Sequence, residues 1–183
     1  MRLVATEYLS LDGIFEEPGH WSNPWFNDQA GQFKYAELQA SDALLLGRKT
    51  YEGFAAAWPN AKGTGDFGEK MNSMPKYVVS STLDKVDWPG SKLVKGDVVA
   101  EVRKLKEQAG SDLLLSGSAQ LFNALMEANL IDLYRIMLFP VVLGKGKRLF
   151  AEGTDRRILG VPETKTFTSG VAILEYRPEP AKR

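Results

Sequence analysis

Three short, wholly apolar runs, each broken at once by small or hydroxyl residues, constrain this chain more than any other feature. They are Ala43-Leu44-Leu45-Leu46 before Gly47, Tyr77-Val78-Val79 before Ser80-Ser81-Thr82, and Leu113-Leu114-Leu115 before Ser116-Gly117-Ser118. A run this short, bounded by turn residues and without polar alternation, suits a strand buried on both faces of a parallel sheet. A helical pattern follows each. Gly47 lets the backbone turn out of its strand, and Thr50 is the expected N-cap of the helix beyond it. Asp97 is expected to cap a helix whose Val98, Val102, Leu105 and Ala109 recur at three- and four-residue steps. Leu121, Phe122, Leu125 and Met126 mark one face of a third helix.

The remaining segments complete an α/β pattern. Residues 2–11 read as a strand ending at the Asp12-Gly13 turn signal, and Phe26, Phe33, Leu38 and Ala40 as one face of a helix ending near Ser41. Residues 59–75, rich in Pro, Gly and Asn, read as loop. Residues 131–139 are a further strand, 140–147 a loop, and 164–168 with 170–177 a hairpin about Ser169-Gly170. The late consecutive strands imply a mixed, mostly parallel sheet flanked by helices and closed by a C-terminal antiparallel hairpin. For 183 residues, one domain spanning 1–183 is the default.

Composition narrows the function classes. Lys plus Arg and Asp plus Glu both number 23, so no broad positive field is present, and neither nucleic acid nor a membrane surface is expected as partner. The absence of cysteine excludes disulfides, thiolate nucleophiles and Cys-ligated metals, and suits the reducing cytoplasm. No window approaches the roughly 18 apolar residues of a membrane span, and the first residues carry no signal-like apolar run. His20 is the only histidine, so no multi-histidine metal site or serine triad is supported.

The chemistry concentrates at the three strand ends. In open α/β sheets ligands bind beyond the carboxyl ends of strands, where helix N-termini offer free N–H groups to phosphate. A dinucleotide crossing several strand ends fits this pattern; turn-making alone is the bland alternative for each segment taken singly. Gly63-Thr64-Gly65-Asp66-Phe67-Gly68 spells a dinucleotide fingerprint but lacks a preceding strand, and Gly144-Lys145-Gly146-Lys147 lacks P-loop spacing.

Gly47-Arg48-Lys49-Thr50-Tyr51-Glu52 after a Leu-rich strand resembles the Gly-Arg-x-Thr-x-Glu segment of the dihydrofolate reductase superfamily. Ser10-Leu11-Asp12-Gly13 and Pro140-Val141-Val142-Leu143-Gly144-Lys145-Gly146, followed by Leu149-Phe150, are similar to its branch containing the C-terminal reductase domain of the bifunctional riboflavin-biosynthesis deaminase/reductase. The resemblance implies a dihydrofolate-reductase-like fold over nearly the whole chain. It also implies that Gly47, Arg48, Lys49 and Thr50 cradle a cofactor pyrophosphate, that Ser80 and Ser81 sit by a 2′-phosphate, and that Gly117, Ser118, Ala119 and Gln120 form a second phosphate-binding turn. The cofactor so implied is NADPH, with Arg48 and Lys49 supplying charge for its extra phosphate.

Two departures bear on the substrate. Ser116-Gly117 stands where the superfamily has paired glycines, and Leu115 where riboflavin reductases place a glutamate. Asp28 lies nearest to the carboxylate with which folate reductases hold the pterin; its alternative is a helix N-terminal charge. Asp12 either orients a loop over the nicotinamide or only makes the turn with Gly13. Trp21, Trp25 and Phe26 either wall a flat ring or pack.

The expectation is an NADPH-dependent reductase passing hydride to a small heterocyclic or carbonyl substrate. Its rivals are a pterin or pyrimidine reductase of the folate or riboflavin pathways and a nucleotide-binding module without turnover. A homodimer is expected from the resemblance and from Ile136, Leu138, Val171, Ile173 and Leu174, apolar residues in excess of one covered sheet face.

Overall fold

The computed structural model describes residues 1–179. Eight strands build one sheet in the order β4-β3-β2-β5-β1-β6-β8-β7: β1 (Arg2–Ser10), β2 (Ser41–Gly47), β3 (Lys76–Val79), β4 (Ser91–Val94), β5 (Asp112–Leu115), β6 (Leu133–Phe139), β7 (Leu159–Thr166) and β8 (Ala172–Pro178). The first six run parallel; β8 pairs antiparallel with β6, and β7 with β8. The mixed sheet and its terminal hairpin are those expected, turning at Phe167–Val171, where the Phe167 N–H donates to the Val171 carbonyl and the Gly170 N–H to the Phe167 carbonyl.

Among the described residues six helices flank the sheet: α1 (Pro18–Trp21), α2 (Asp28–Gln39), α3 (Arg48–Ala57), α4 (Gly65–Ser73), α5 (Val98–Glu107) and α6 (Ala119–Glu127). None of the helices of the described residues is long and apolar enough to cross a membrane. The chain moves outward from β1 through β2, β3 and β4, then returns with β5 into the gap beside β1 and crosses over to β6. That return places the carboxyl ends of β3, β2 and β5 side by side, with all three predicted turns along one rim.

The apolar runs are buried as their composition requires: Leu44, Leu45, Leu46, Val78, Leu113, Leu114 and Leu115 are almost wholly covered. Leu3, Ala5, Leu45, Leu113 and Leu115 pack beneath Val102, Leu105, Leu121, Phe122 and Leu125 of α5 and α6. On the opposite face Val4, Leu44, Leu46 and Val78 meet Tyr51, Met71 and Met74. Met137, Phe139 and Ile173 form a third cluster with Ala30 and Phe33 of α2.

Several local expectations are corrected. Thr50 is not an N-cap; β2 continues to Gly47, α3 starts at Arg48, and Thr50 lies in its first turn. Residues 59–75 are not all loop: a 3-10 turn (Trp58–Asn60) leads to α4, whose Phe67 and Met71 pack near Trp58 and Tyr51 despite three nearby glycines. α2 excludes Phe26 and Ala40 and is capped by Asn27, which accepts from the Ala30 N–H. Ala109 lies past the end of α5. β4 was hidden because Ser91-Lys92-Leu93-Val94 carries no apolar run.

The apolar residues of the late strands are largely used within the chain. Ile136, Val171 and Ile173 are buried within this chain, and Leu138 and Leu174 are half-buried against its own core. One chain thus covers three of the five positions fully and two in part.

Candidate functional site

Strand order brings Gly47 and Gly117 together. The Gly47 N–H donates to the Gly117 carbonyl at 3.1 Å, joining the ends of β2 and β5. A Cβ on Gly47 would lie 2.6 Å from Ser118 Oγ and 2.8 Å from Ser118 N, so only glycine fits. Gly117 has φ +54°, and a Cβ there would lie 2.6 Å from Thr50 Oγ1. The Gly117–Ser118 peptide is cis. Sequence and packing therefore converge on a close-packed backbone junction at the rim, with both glycines buried.

Two helices start from that junction. Asn27, Asp97 and Ser118 cap α2, α5 and α6 with their side chains, but no side chain caps α3. Its first-turn N–H groups thus face the rim with a favourable field for an anion. Arg48 and Lys49 stand exposed on that turn, Arg48 at 3.5 Å from Glu52. Ala119 and Gln120 open α6, Gln120 exposed. A glycine cradle, one uncapped helix start and two adjacent cations form a donor set suited to phosphate groups.

Ser80 and Ser81 differ from each other. Ser80 is buried, and its Oγ accepts from the N–H groups of Thr82 and Leu83 at 3.1 and 3.0 Å, so it builds the turn after β3. Ser81 is exposed beside it. A hollow of about 790 Å³, lined by Tyr51, Glu52, Ala55, Thr82 and Trp88, lies next to this turn rather than over Gly117. Its broad opening makes it the weaker guide to a site than the glycine cradle.

The two carboxylates singled out in the sequence are not brought together. Asp12 accepts from Ser10 Oγ at 2.7 Å and from the N–H groups of Leu143 and Gly144 at 3.1 and 2.8 Å. Those bonds hold its carboxyl well down, to about 2, and clasp the turn after β1 to the loop after β6. Asp12 thereby clamps the two loops with both carboxylate oxygens engaged. Asp28 is the exposed first residue of α2, where a negative charge complements the helix dipole. That position fits the helix-charge alternative for Asp28. Trp21 meets Phe139 edge-on with centroids 5.4 Å apart, and Trp25 packs beside the same cluster. Phe26 is partly exposed against Tyr8.

Three buried carboxyls were not singled out from the sequence: Asp112, which pairs with Arg2 at 2.8 Å, Glu37 and Glu7. Glu37 of α2 is ion-paired with Lys34 and, at 3.0 Å, with Arg135 of β6, which also pairs with Glu175 of β8. Burial alone would raise Glu37, but Lys34 and Arg135 outweigh it and hold the carboxyl below its usual range. Glu7 stands on β1, two residues past the Ala5–Leu115 pair, and its Oε1 accepts from the Gly117 N–H at 2.7 Å. Burial pushes its carboxyl up to about 8, against the opposing effects of the Gly117 N–H and Lys34. The available signal was a glutamate amid the apolar alternation of Leu3, Ala5 and Leu9.

Comparison with known proteins places these features in a lineage. The model of the RibD C-terminal domain family matches residues 2–173. The uncharacterized protein YyaP of Bacillus subtilis (strain 168) is 32% identical over 142 residues, 76% of this chain and 75% of its own. Among solved structures, a candidate riboflavin biosynthesis protein from Shewanella sp. PV-4 superposes with a TM-score of 0.78 at 20% identity, covering 98% of this chain and 100% of that one. Dihydrofolate reductase from Enterococcus faecalis, complexed with NADP(H), gives 0.59 at 16% identity, covering 98% and 97%. The fold is that of the dihydrofolate reductases.

Proposed function

The chain belongs to the RibD C-terminal domain family, and from that premise we propose that it is an NADPH-dependent reductase acting on a small heterocyclic or carbonyl substrate. The observation that carries this reading is the cradle of Gly47, Gly117 and Ser118 beneath the uncapped start of α3.

In this reading Gly47, Thr50, Gly117, Ser118, Ala119 and Gln120 surround the pyrophosphate. Arg48, Lys49 and Ser81 face the 2′-phosphate, with Ser80 shaping their neighbour turn. Bound NADPH supplies a hydride for a C=N or C=O bond. The protein contributes orientation and water exclusion. The clamp at Asp12 holds the loops around Ile14 and Leu143, which with Trp21 line a hollow of about 240 Å³. Residues 1–183 act as one domain in the cytoplasm, and homodimerisation rests on the family resemblance alone.

The test is loss of nicotinamide absorbance when the protein and NADPH meet a panel of pterins, pyrimidines, aldehydes and ketones. Steady oxidation with at least one member is expected. Absence of NADPH binding by calorimetry overturns the reading. The engagement of Asp12 and Glu37 by internal partners favours a second reading, a nucleotide-binding module, which tight binding without consumption across the panel would support.

A further inference from the structure

Among the described residues, Glu7 is the buried carboxyl that touches a turn of the cradle. β5 contributes no acid of its own there, since Leu115 and Ser116 precede Gly117. The carboxyl arrives instead from the neighbouring strand and meets the Gly117 amide from behind. We propose that Glu7 is a positioning residue that couples cofactor affinity to a proton: its neutral carboxyl holds the turn ready for phosphate, and its carboxylate opposes phosphate binding. This rests on the reading of the cradle as the NADPH site.

The geometry gives the carboxyl two separable roles. As an acceptor it fixes the Gly117 N–H inward, which leaves the turn's orientation to the Gly117–Ser118 segment and the start of α6. That role survives protonation, because a neutral carboxyl keeps its carbonyl oxygen. As an anion it would place negative charge one hydrogen bond behind a surface that must receive negative charge in front. Burial keeps water and salt from screening that repulsion.

The ionic surroundings of Glu7 are sparse. From α2, Lys34 favours the carboxylate and Glu37 disfavours it. β5 and α6 turn apolar side chains to this face, Leu113, Leu115, Leu121 and Phe122, and β6 opposes it with Ile136. Burial is thus the dominant influence and keeps the proton on Glu7 at neutral pH, to about pH 8. Above that value, phosphate arrival must draw a proton from solvent onto the carboxylate. Affinity therefore falls as pH rises through that range, and binding there is accompanied by proton uptake.

The test is calorimetric titration of the intact chain with NADPH at about pH 7 and about pH 9.5, in two buffers of different ionisation enthalpy. For the unaltered protein the expected result is a loss of affinity on the order of tenfold across this range, with close to one proton taken up per cofactor at the upper pH. Glu7→Gln keeps the acceptor and cannot ionise, so it should hold its affinity within about twofold and take up no proton. The proton count in the unaltered chain needs no variant and stands even if Glu7→Gln folds poorly. Uptake of no proton at the upper pH, or an unchanged pH dependence in Glu7→Gln, overturns the proposal while leaving the cofactor site intact. Absence of NADPH binding at every pH removes the cofactor site and the proposal with it.

Discussion

Gly47 and Ser118, one ending β2 and the other opening α6, approach so closely that a methyl group on Gly47 would lie 2.6 Å from the serine hydroxyl. Their contact welds two strand ends into one surface. Gly47→Ala must push Ser118 or the turn aside, and overpacking of this kind costs about 1–3 kcal/mol. Urea denaturation should show that loss, and calorimetry a parallel loss of NADPH affinity. Wild-type stability in Gly47→Ala would mean that the two segments separate freely.

Arg48 stands on the uncapped turn of α3, with only a long contact to Glu52. If its guanidinium meets the 2′-phosphate, Arg48→Ala should weaken NADPH by about 1.5–3 kcal/mol and leave NADH nearly unchanged. A uniform loss for both nucleotides would place Arg48 elsewhere.

The pairing of Arg135 with Glu37 and Glu175 links α2 to β6 and β8 with little exposure. Arg135→Met should strip both carboxylates of a partner and destabilise the fold by about 3 kcal/mol. Glu37 also sets a pH dependence. Its folded carboxyl lies below the unfolded value of about 4.3, so the stability it adds is present above that pH and is lost as pH falls through the folded value. Acid titration of stability should be shallower in Glu37→Gln.

Glu7 has the opposite sign. Its folded carboxyl, near 8, lies above the unfolded value of about 4.3, so ionisation favours the unfolded chain progressively between the two. Denaturation at about pH 5 and about pH 9 should show the stability of Glu7→Gln relative to the unaltered protein growing with pH. An equal difference at both would contradict the buried, neutral carboxyl.

Asp12 accounts for the conformation of the loop after β6 through the N–H groups of Leu143 and Gly144. In Asp12→Ala those two amides should exchange hydrogen about tenfold faster, with the strands β1 and β6 unaffected. Unchanged exchange would deny the clamp.

The legibility of this chain follows burial. β2, β3 and β5 stood out because strands covered on both faces leave no room for polar residues, and the turns after them because backbone must change direction there. β4 was invisible because a half-covered edge strand such as Ser91-Lys92-Leu93-Val94 needs no apolar run. α4 was masked by Gly63, Gly65 and Gly68, whose helix-weakening effect Phe67 and Met71 offset through tertiary packing. Glu7 and Glu37 could be read as residues but not as a site. The Gly117 amide lies 110 positions from Glu7 and Arg135 lies 98 from Glu37, separations that only the folded sheet closes.

The most direct test of the account is a side-by-side calorimetric titration of the unaltered chain with NADPH and NADH at neutral pH. The two cofactors differ only in the 2′-phosphate that Arg48, Lys49 and Ser81 are expected to meet, a charged contact worth about 1.5–3 kcal/mol. The account predicts NADPH binding at least about tenfold tighter than NADH. Equal affinities, or binding of neither, would contradict it.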